Sequence, residues 1–200
     1  MAATPAGGAV EDVAHALRGA GFTVRVYGDY RSLKWSKLLL NIVANAIPAI
    51  LDMPPAAALA HPAVFNLELA AMRETLAVMR AQGIAVVSLP AYPLPALAMA
   101  LRWLPDALLR PALRPLVAGG RGDKLPSLLL DARRGRNQSE VNVLNRVVAE
   151  AGERLSVPAP VNRGVSELLN GILQGTIPRA AYRNNPDALL EYFARARGGA

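Results

Sequence analysis

Apolar residues recur at helical spacing along most of this chain, and glycines or prolines stand where those runs stop. Val10 to Arg18 predicts an amphipathic helix closed by Gly19 and Gly21. Phe22-Thr-Val-Arg-Val-Tyr27 alternates with period two instead, the pattern of a strand, and Gly28-Asp29 closes it. Everything beyond reads as helix. Leu33 to Leu51 is predicted as one helix kinked near Pro48. His61 to Gln82 carries Val64, Leu67, Ala71, Thr75, Val78 and Gln82 along one face and ends at Gly83. Pro90 to Val117 predicts helix in pieces, punctuated by Pro95, Pro105, Pro111 and Pro115, with a flexible loop from Gly119 to Gly122. Pro126 to Arg133 predicts a short helix. Ser139 to Leu155 predicts a longer one, capped by Ser139, with Val141, Leu144, Val148, Ala151 and Leu155 as its apolar stripe. Val161 to Gln174 follows and ends at Gly175. Asn185-Pro186-Asp187 opens the last helix with a cap, a proline in the first turn and an acid beside it.

A lone strand cannot satisfy its own backbone donors and acceptors, so Phe22 to Tyr27 needs neighbours that no other segment supplies. Two readings follow. Either residues 1–30 are the remnant of an α/β sheet domain and residues 31–200 a separate helical domain, or the segment is extended and packs on the helices. In both, the fold class is mostly α, with one short orphan strand at the N-terminal end.

Composition narrows the chemistry. Cysteine is absent, which removes disulfides and thiolate catalysis. His15 and His61 lie far apart without metal-ligand spacing, so no metal site is expected. The net charge of +7 favours anionic partners. Arg102, Arg110, Arg114, Arg121, Lys124, Arg133, Arg134 and Arg136 form a basic stretch, but Asp106, Asp123 and Asp131 interleave it and aromatics are nearly absent. Base stacking would have little to use, so a solvated basic face is expected rather than a nucleic-acid site. The uncharged run Ala81 to Leu101 is broken by Pro90, Pro93 and Pro95, which excludes it as a membrane span. With no secretory signal pattern near Met1, a soluble, cytoplasmic location is expected.

Lys37, Asn41 and Asn45 hold the most specific chemistry. On one helix their spacing stacks them along a single face, among Leu38, Leu39, Leu40, Ile42, Val43 and Ile47. A cation and two amides are costly to bury there unless something polar meets them. A bound polar ligand would do so. A solvated stripe on an otherwise buried helix is the alternative.

Trp35-Ser-Lys37-Leu38, then Asn41 and Asn45, resembles the opening of the C-terminal domain of ketopantoate reductases (2-dehydropantoate 2-reductases). Lys124-Leu-Pro-Ser127-Leu-Leu-Leu-Asp131, Gly135-Arg136 and Ser139-Glu140-Val-Asn-Val-Leu-Asn145 follow in the family's order, and Val157-Pro158-Ala-Pro160-Val-Asn162 completes the pattern. The resemblance implies a multi-helix domain of the 6-phosphogluconate-dehydrogenase-like type. It implies an NADPH-dependent reduction of 2-dehydropantoate to pantoate in pantothenate biosynthesis. It assigns Lys37 as proton donor, Asn41, Asn45 and Ser127 as substrate-binding residues, and Glu140 to the cofactor and substrate. These types suit the reaction. An ammonium can stabilise and protonate the alkoxide left by hydride addition, and amides and a hydroxyl can hold the substrate's polar groups.

The chain also departs from the family pattern. No Gly-x-Gly-x-x-Gly fingerprint occurs in it. Pro55 stands where some members carry a further substrate-binding asparagine, and Arg146 where a glycine follows Asn145. The expected partners are therefore a 2-oxo acid, a Rossmann domain supplied in trans that holds most of the NADPH, and a second copy in a homodimer. A non-catalytic dimerisation or partner-binding module derived from the family is the alternative.

Overall fold

The computed structural model describes residues 7–119, 125–135 and 140–198. Among them the chain forms eleven α-helices and two short 3-10 turns. The only β pairing among these residues is an isolated bridge between Leu89 and Tyr92. The mostly helical architecture is the one the periodicity predicts.

Helix α1 (Gly7–Gly19) is followed by a turn at Gly21, whose φ of 87° is a left-handed value that glycine adopts without a Cβ clash. Residues 22–27 form neither helix nor ladder among the described residues, and Phe22 and Val26 are exposed. Side-chain hydrogen bonds fasten the segment. The Arg18 guanidinium donates to the Val24 carbonyl, and the Tyr27 hydroxyl donates to the Ser88 carbonyl at 2.9 Å.

The predicted Leu33–Leu51 helix is two helices. Helix α2 (Tyr30–Ile42) stops at Val43, and α3 (Ala46–Leu51) starts after Asn45. The break lies at Val43 to Asn45, where Ala44 has a φ of 53°. It does not lie at Pro48. Pro48 is the third residue of α3, within the first turn, where a backbone N–H has no intrahelical partner to lose. Helix α4 (Pro55–Ala60) then leads into α5 (Pro62–Ala81), the longest element. The apolar face predicted for α5 is buried, and Phe65, Leu69, Met72 and Met79 are buried with it. It packs against α2, α4, α6 (Leu94–Trp103), α7 (Asp106–Gly119), α9 (Asn145–Arg154), α10 (Pro160–Leu173) and α11 (Pro186–Gly198). A helix buried on several sides is the centre of a domain, and these helices wrap it.

Helix α8 (Ser127–Arg133) packs on α3. The predicted Ser139–Leu155 helix is also divided. Glu140–Val143 is a 3-10 turn, and Leu144 (φ −110°, ψ −97°) separates it from α9. Ser139, the expected cap, lies outside the described residues, as do Lys124 and Arg136. The main apolar cluster joins Ile42, Ala46, Ile47 and Ile50 to Leu128, Leu129, Val141, Leu144, Val165, Leu168 and Phe193. No helix among the described residues is long and apolar enough to cross a membrane.

Candidate active site

Asp29 starts the site by fixing α2. Its carboxylate accepts from the backbone N–H of Arg31 at 2.9 Å and of Ser32 at 3.0 Å, and from the Ser32 hydroxyl at 2.6 Å. The Ser32 hydroxyl and then the Arg31 N–H hold its pKa below the ordinary value. Ser32, Ser36, Leu39 and Ile42 form the buried face of α2, and the Val87 N–H donates to the Ser36 hydroxyl at 2.9 Å. Lys37 lies next to that face and is exposed, Asn41 is half-buried, and Asn45 is buried.

The three residues do not share one continuous helix. Lys37 and Asn41 keep their one-turn spacing on α2, whereas Asn45 lies beyond the break as the residue preceding α3. The Asn45 amide turns back across that break, donating from Nδ2 to the Asn41 carbonyl at 3.2 Å. Its Oδ1 is buried with no partner. A buried acceptor left open in this way costs about 1–3 kcal/mol, which a ligand donor would recover.

Ser127 is the first residue of α8 and is exposed. Pro126 holds the capping position, so Ser127 does not cap the helix. Glu140 opens the 3-10 turn and is exposed too. No ion pair joins Lys37 to Glu140 among the described residues.

The chain neighbours of these positions belong to the main apolar cluster or pack on it: Leu38 beside Lys37, Ile42 beside Asn41, Ala46 beside Asn45, Leu128 beside Ser127 and Val141 beside Glu140. The segments that carry the candidates thus each contribute a residue to the same core or to its packing. The polar groups at its edge can act as a cationic proton donor, amide and hydroxyl ligands, and a carboxylate acceptor.

Two residues of the motif pattern have a different place. Asn162 is fully buried, donates to the Ala71 carbonyl at 2.9 Å and to the Glu74 carboxylate at 2.8 Å, and accepts from Asn145 at 3.0 Å. Glu74 also receives the backbone N–H groups of Val161 and Asn162, at 2.8 and 2.9 Å. Sequence reasoning passed over Glu74 because the carboxylate caps α10 from another helix, and no local spacing marks such a contact. Asp52 was missed for the same reason. It ends α3 at a φ of 52° and gathers Arg133, Arg179 and Arg183, at 2.7, 3.2 and 3.4 Å. Part of the basic stretch is therefore an internal tie.

The family model for the ketopantoate reductase PanE/ApbA C-terminal region matches residues 29–173. The chain belongs to that family. Among ketopantoate reductases, a 2-dehydropantoate 2-reductase of Pyrobaculum aerophilum is 29% identical over 161 residues, covering 80% of this chain and 50% of the relative. One from Archaeoglobus fulgidus is 25% identical over 168 residues, covering 84% and 49%. The crystal structure of a PanE/ApbA family ketopantoate reductase from Ralstonia eutropha JMP134 matches with a TM-score of 0.64 at 25% identity, over 82% of this chain and 48% of that one. The chain spans about half the length of these relatives. The matched region begins at Asp29, the cap of α2, and takes in all five candidate residues.

Proposed function

We propose that this chain is the substrate-binding and catalytic half of an NADPH-dependent 2-oxo acid reductase that acts on 2-dehydropantoate or a close analogue. One observation carries the reading: the family match spans Lys37, Asn41, Asn45, Ser127 and Glu140, whose chain neighbours all meet at one apolar cluster. The unpartnered Oδ1 of Asn45 fits a substrate that brings a hydroxyl donor to a buried acceptor. NADPH, when bound, supplies the hydride, and Glu140 is the residue of this chain assigned to it. The Lys37 ammonium stabilises the developing alkoxide and gives it a proton. Asn41, Asn45 and Ser127 hold the carboxylate and hydroxyl groups.

Most of the cofactor contacts belong to a Rossmann domain, because this chain has no glycine-rich phosphate loop. Exposed apolar residues support such a partner. Val10, Val13 and Leu17 expose one side of α1, and Phe22, Val26 and Tyr30 are exposed beside it along the chain. Those unpaired apolar residues also favour a second reading, a non-catalytic module that uses the same face to pair with another copy of itself.

The experiment is to follow NADPH absorbance with 2-dehydropantoate, using the chain alone and the chain mixed with the Rossmann half of a relative. We expect negligible turnover alone and turnover in the mixture. Lys37→Ala should then lower kcat by about 10²–10⁴-fold, as loss of a general acid does. Asn45→Ala should act mainly on KM, because a substrate contact is made in both ground and transition states. No turnover in a mixture that does form a complex would favour the non-catalytic module. A kcat unchanged by Lys37→Ala would reverse the roles along α2 and α3.

A further inference from the structure

A concave site lined by none of these five residues lies between α5 and α6. It encloses about 410 Å³ and is lined by Arg73, Leu76, Ala77 and Arg80 of α5 and by Ala98, Met99, Leu101, Arg102 and Trp103 of α6. That volume is in the range of small-molecule sites. Its floor is apolar. Trp103 is 71% exposed and Met99 is 63% exposed, both large apolar side chains with solvent on their outer sides.

The three arginines differ in what they can offer. Arg73 is committed to the protein: its guanidinium donates to the Leu101 carbonyl at 2.9 Å and pairs with Asp106 at 2.7 Å. It fixes the end of α6 against α5 and serves as wall. Arg80 and Arg102 have no acidic partner among the described residues. Arg102 lies over the Trp103 ring, 5.0 Å from its centroid, so a charge and an aromatic face are held side by side. Two uncompensated cations beside an apolar floor complement one ligand chemistry, an anionic head on an apolar body.

From this we infer that the α5–α6 groove binds a small anionic amphiphile, a carboxylate or phosphate carried on an aliphatic or aromatic group. The head meets Arg80 and Arg102, and the body lies on Leu76, Ala77, Met99 and the Trp103 ring. The site uses none of the residues assigned to 2-oxo acid reduction, and it stands whether or not that assignment holds.

Calorimetry with decanoate, decanol and decylammonium tests this on the full chain. We expect saturable one-to-one binding of decanoate, much weaker binding of decanol and none of decylammonium. The Arg80→Gln, Arg102→Gln double variant should bind decanoate at least about tenfold more weakly, the loss of roughly 1.4 kcal/mol or more. Both positions are exposed, so the variant should keep its fold, and its thermal transition checks this. A second reading uses Trp35→Phe, which leaves Trp103 as the only indole: decanoate should change its fluorescence along the calorimetric isotherm. Equal binding of all three probes, or unchanged affinity in the double variant, would overturn the proposal. So would a Trp103 signal that follows protein concentration rather than decanoate, because the groove would then be a contact between copies of the chain.

Discussion

Glu74 bridges α5 to the first turn of α10, and its removal tests how far a non-local cap holds this domain together. The carboxylate accepts three hydrogen bonds at 2.8 to 2.9 Å, from the Val161 N–H, the Asn162 N–H and the Asn162 side chain. Pro160 opens α10 without an N–H, so Val161 and Asn162 carry the first two donors of the helix. Hydrogen bonds to a charged group contribute about 1.5–3 kcal/mol each, and the negative charge at a helix N-terminus adds about 0.3–1 kcal/mol. Glu74→Gln keeps one acceptor oxygen and turns an NH₂ group toward the remaining donors. With its best rotamer it loses one or two of the three bonds and the charge, so we expect a loss of about 2–4 kcal/mol. At about 2–4 °C per kcal/mol in a chain of this size, Tm should fall by roughly 10 °C. Urea unfolding gives the free energy directly. Glu150→Gln is the control: it breaks an exposed pair with Arg146 and should cost under about 0.5 kcal/mol. A cycle with Asn162→Ala should show a coupling of about 0.5–3 kcal/mol. A Glu74→Gln chain within about 0.5 kcal/mol of the parent would refute the argument, since the cap would then have no energetic consequence.

Asp52→Asn removes the charge that gathers Arg133, Arg179 and Arg183 while keeping a residue type that tolerates the left-handed backbone at that position. The aspartate is nearly buried and its partners are partly exposed, so urea unfolding should show a loss of about 2–3 kcal/mol that shrinks in high salt. Gly164→Ala would set a Cβ 2.6 Å from the Phe193 ring, between α10 and α11, and should cost about 1–3 kcal/mol by the same measurement. Asp29 predicts a pH effect. Its pKa is lowered in the folded chain, so its contribution is present above the ordinary aspartate pKa and is lost as pH falls through the lower folded value. Amide exchange in the first turn of α2 should therefore accelerate on acidification relative to an Asp29→Asn chain, which should show no such dependence.

The sequence by itself determined the helical class and several of the helix ends. Gly21, Gly83 and Gly175 all have positive φ at helix ends, and Asn185 accepts the Ala188 N–H as the cap of α11. These signals are local: one residue's backbone freedom, or one side chain reaching three residues ahead. The resemblance to the family was legible for the same reason, since each motif piece is a short fixed spacing, and the family match covers residues 29–173.

Tertiary structure alone decided where helices break without a breaker residue. Nothing local marks Val43 to Asn45 or Leu144 as an interruption, and Pro48, the visible suspect, sits harmlessly in a first turn. Both breaks border residues of the main apolar cluster, where Ile42, Ala46, Val141 and Leu144 meet. Burial of four apolar groups outweighs the about 1 kcal/mol at stake in a lost helical hydrogen bond. The alternating pattern of residues 22–27 likewise describes a side-chain period but not a partner, and a strand exists only when a ladder receives it. Asn145, Asn162, Glu74 and Asp52 could not be sorted from ligand-binding residues in the sequence. Whether a buried polar group meets a ligand or another side chain depends on what lies across the core, and that neighbour can be ninety positions away.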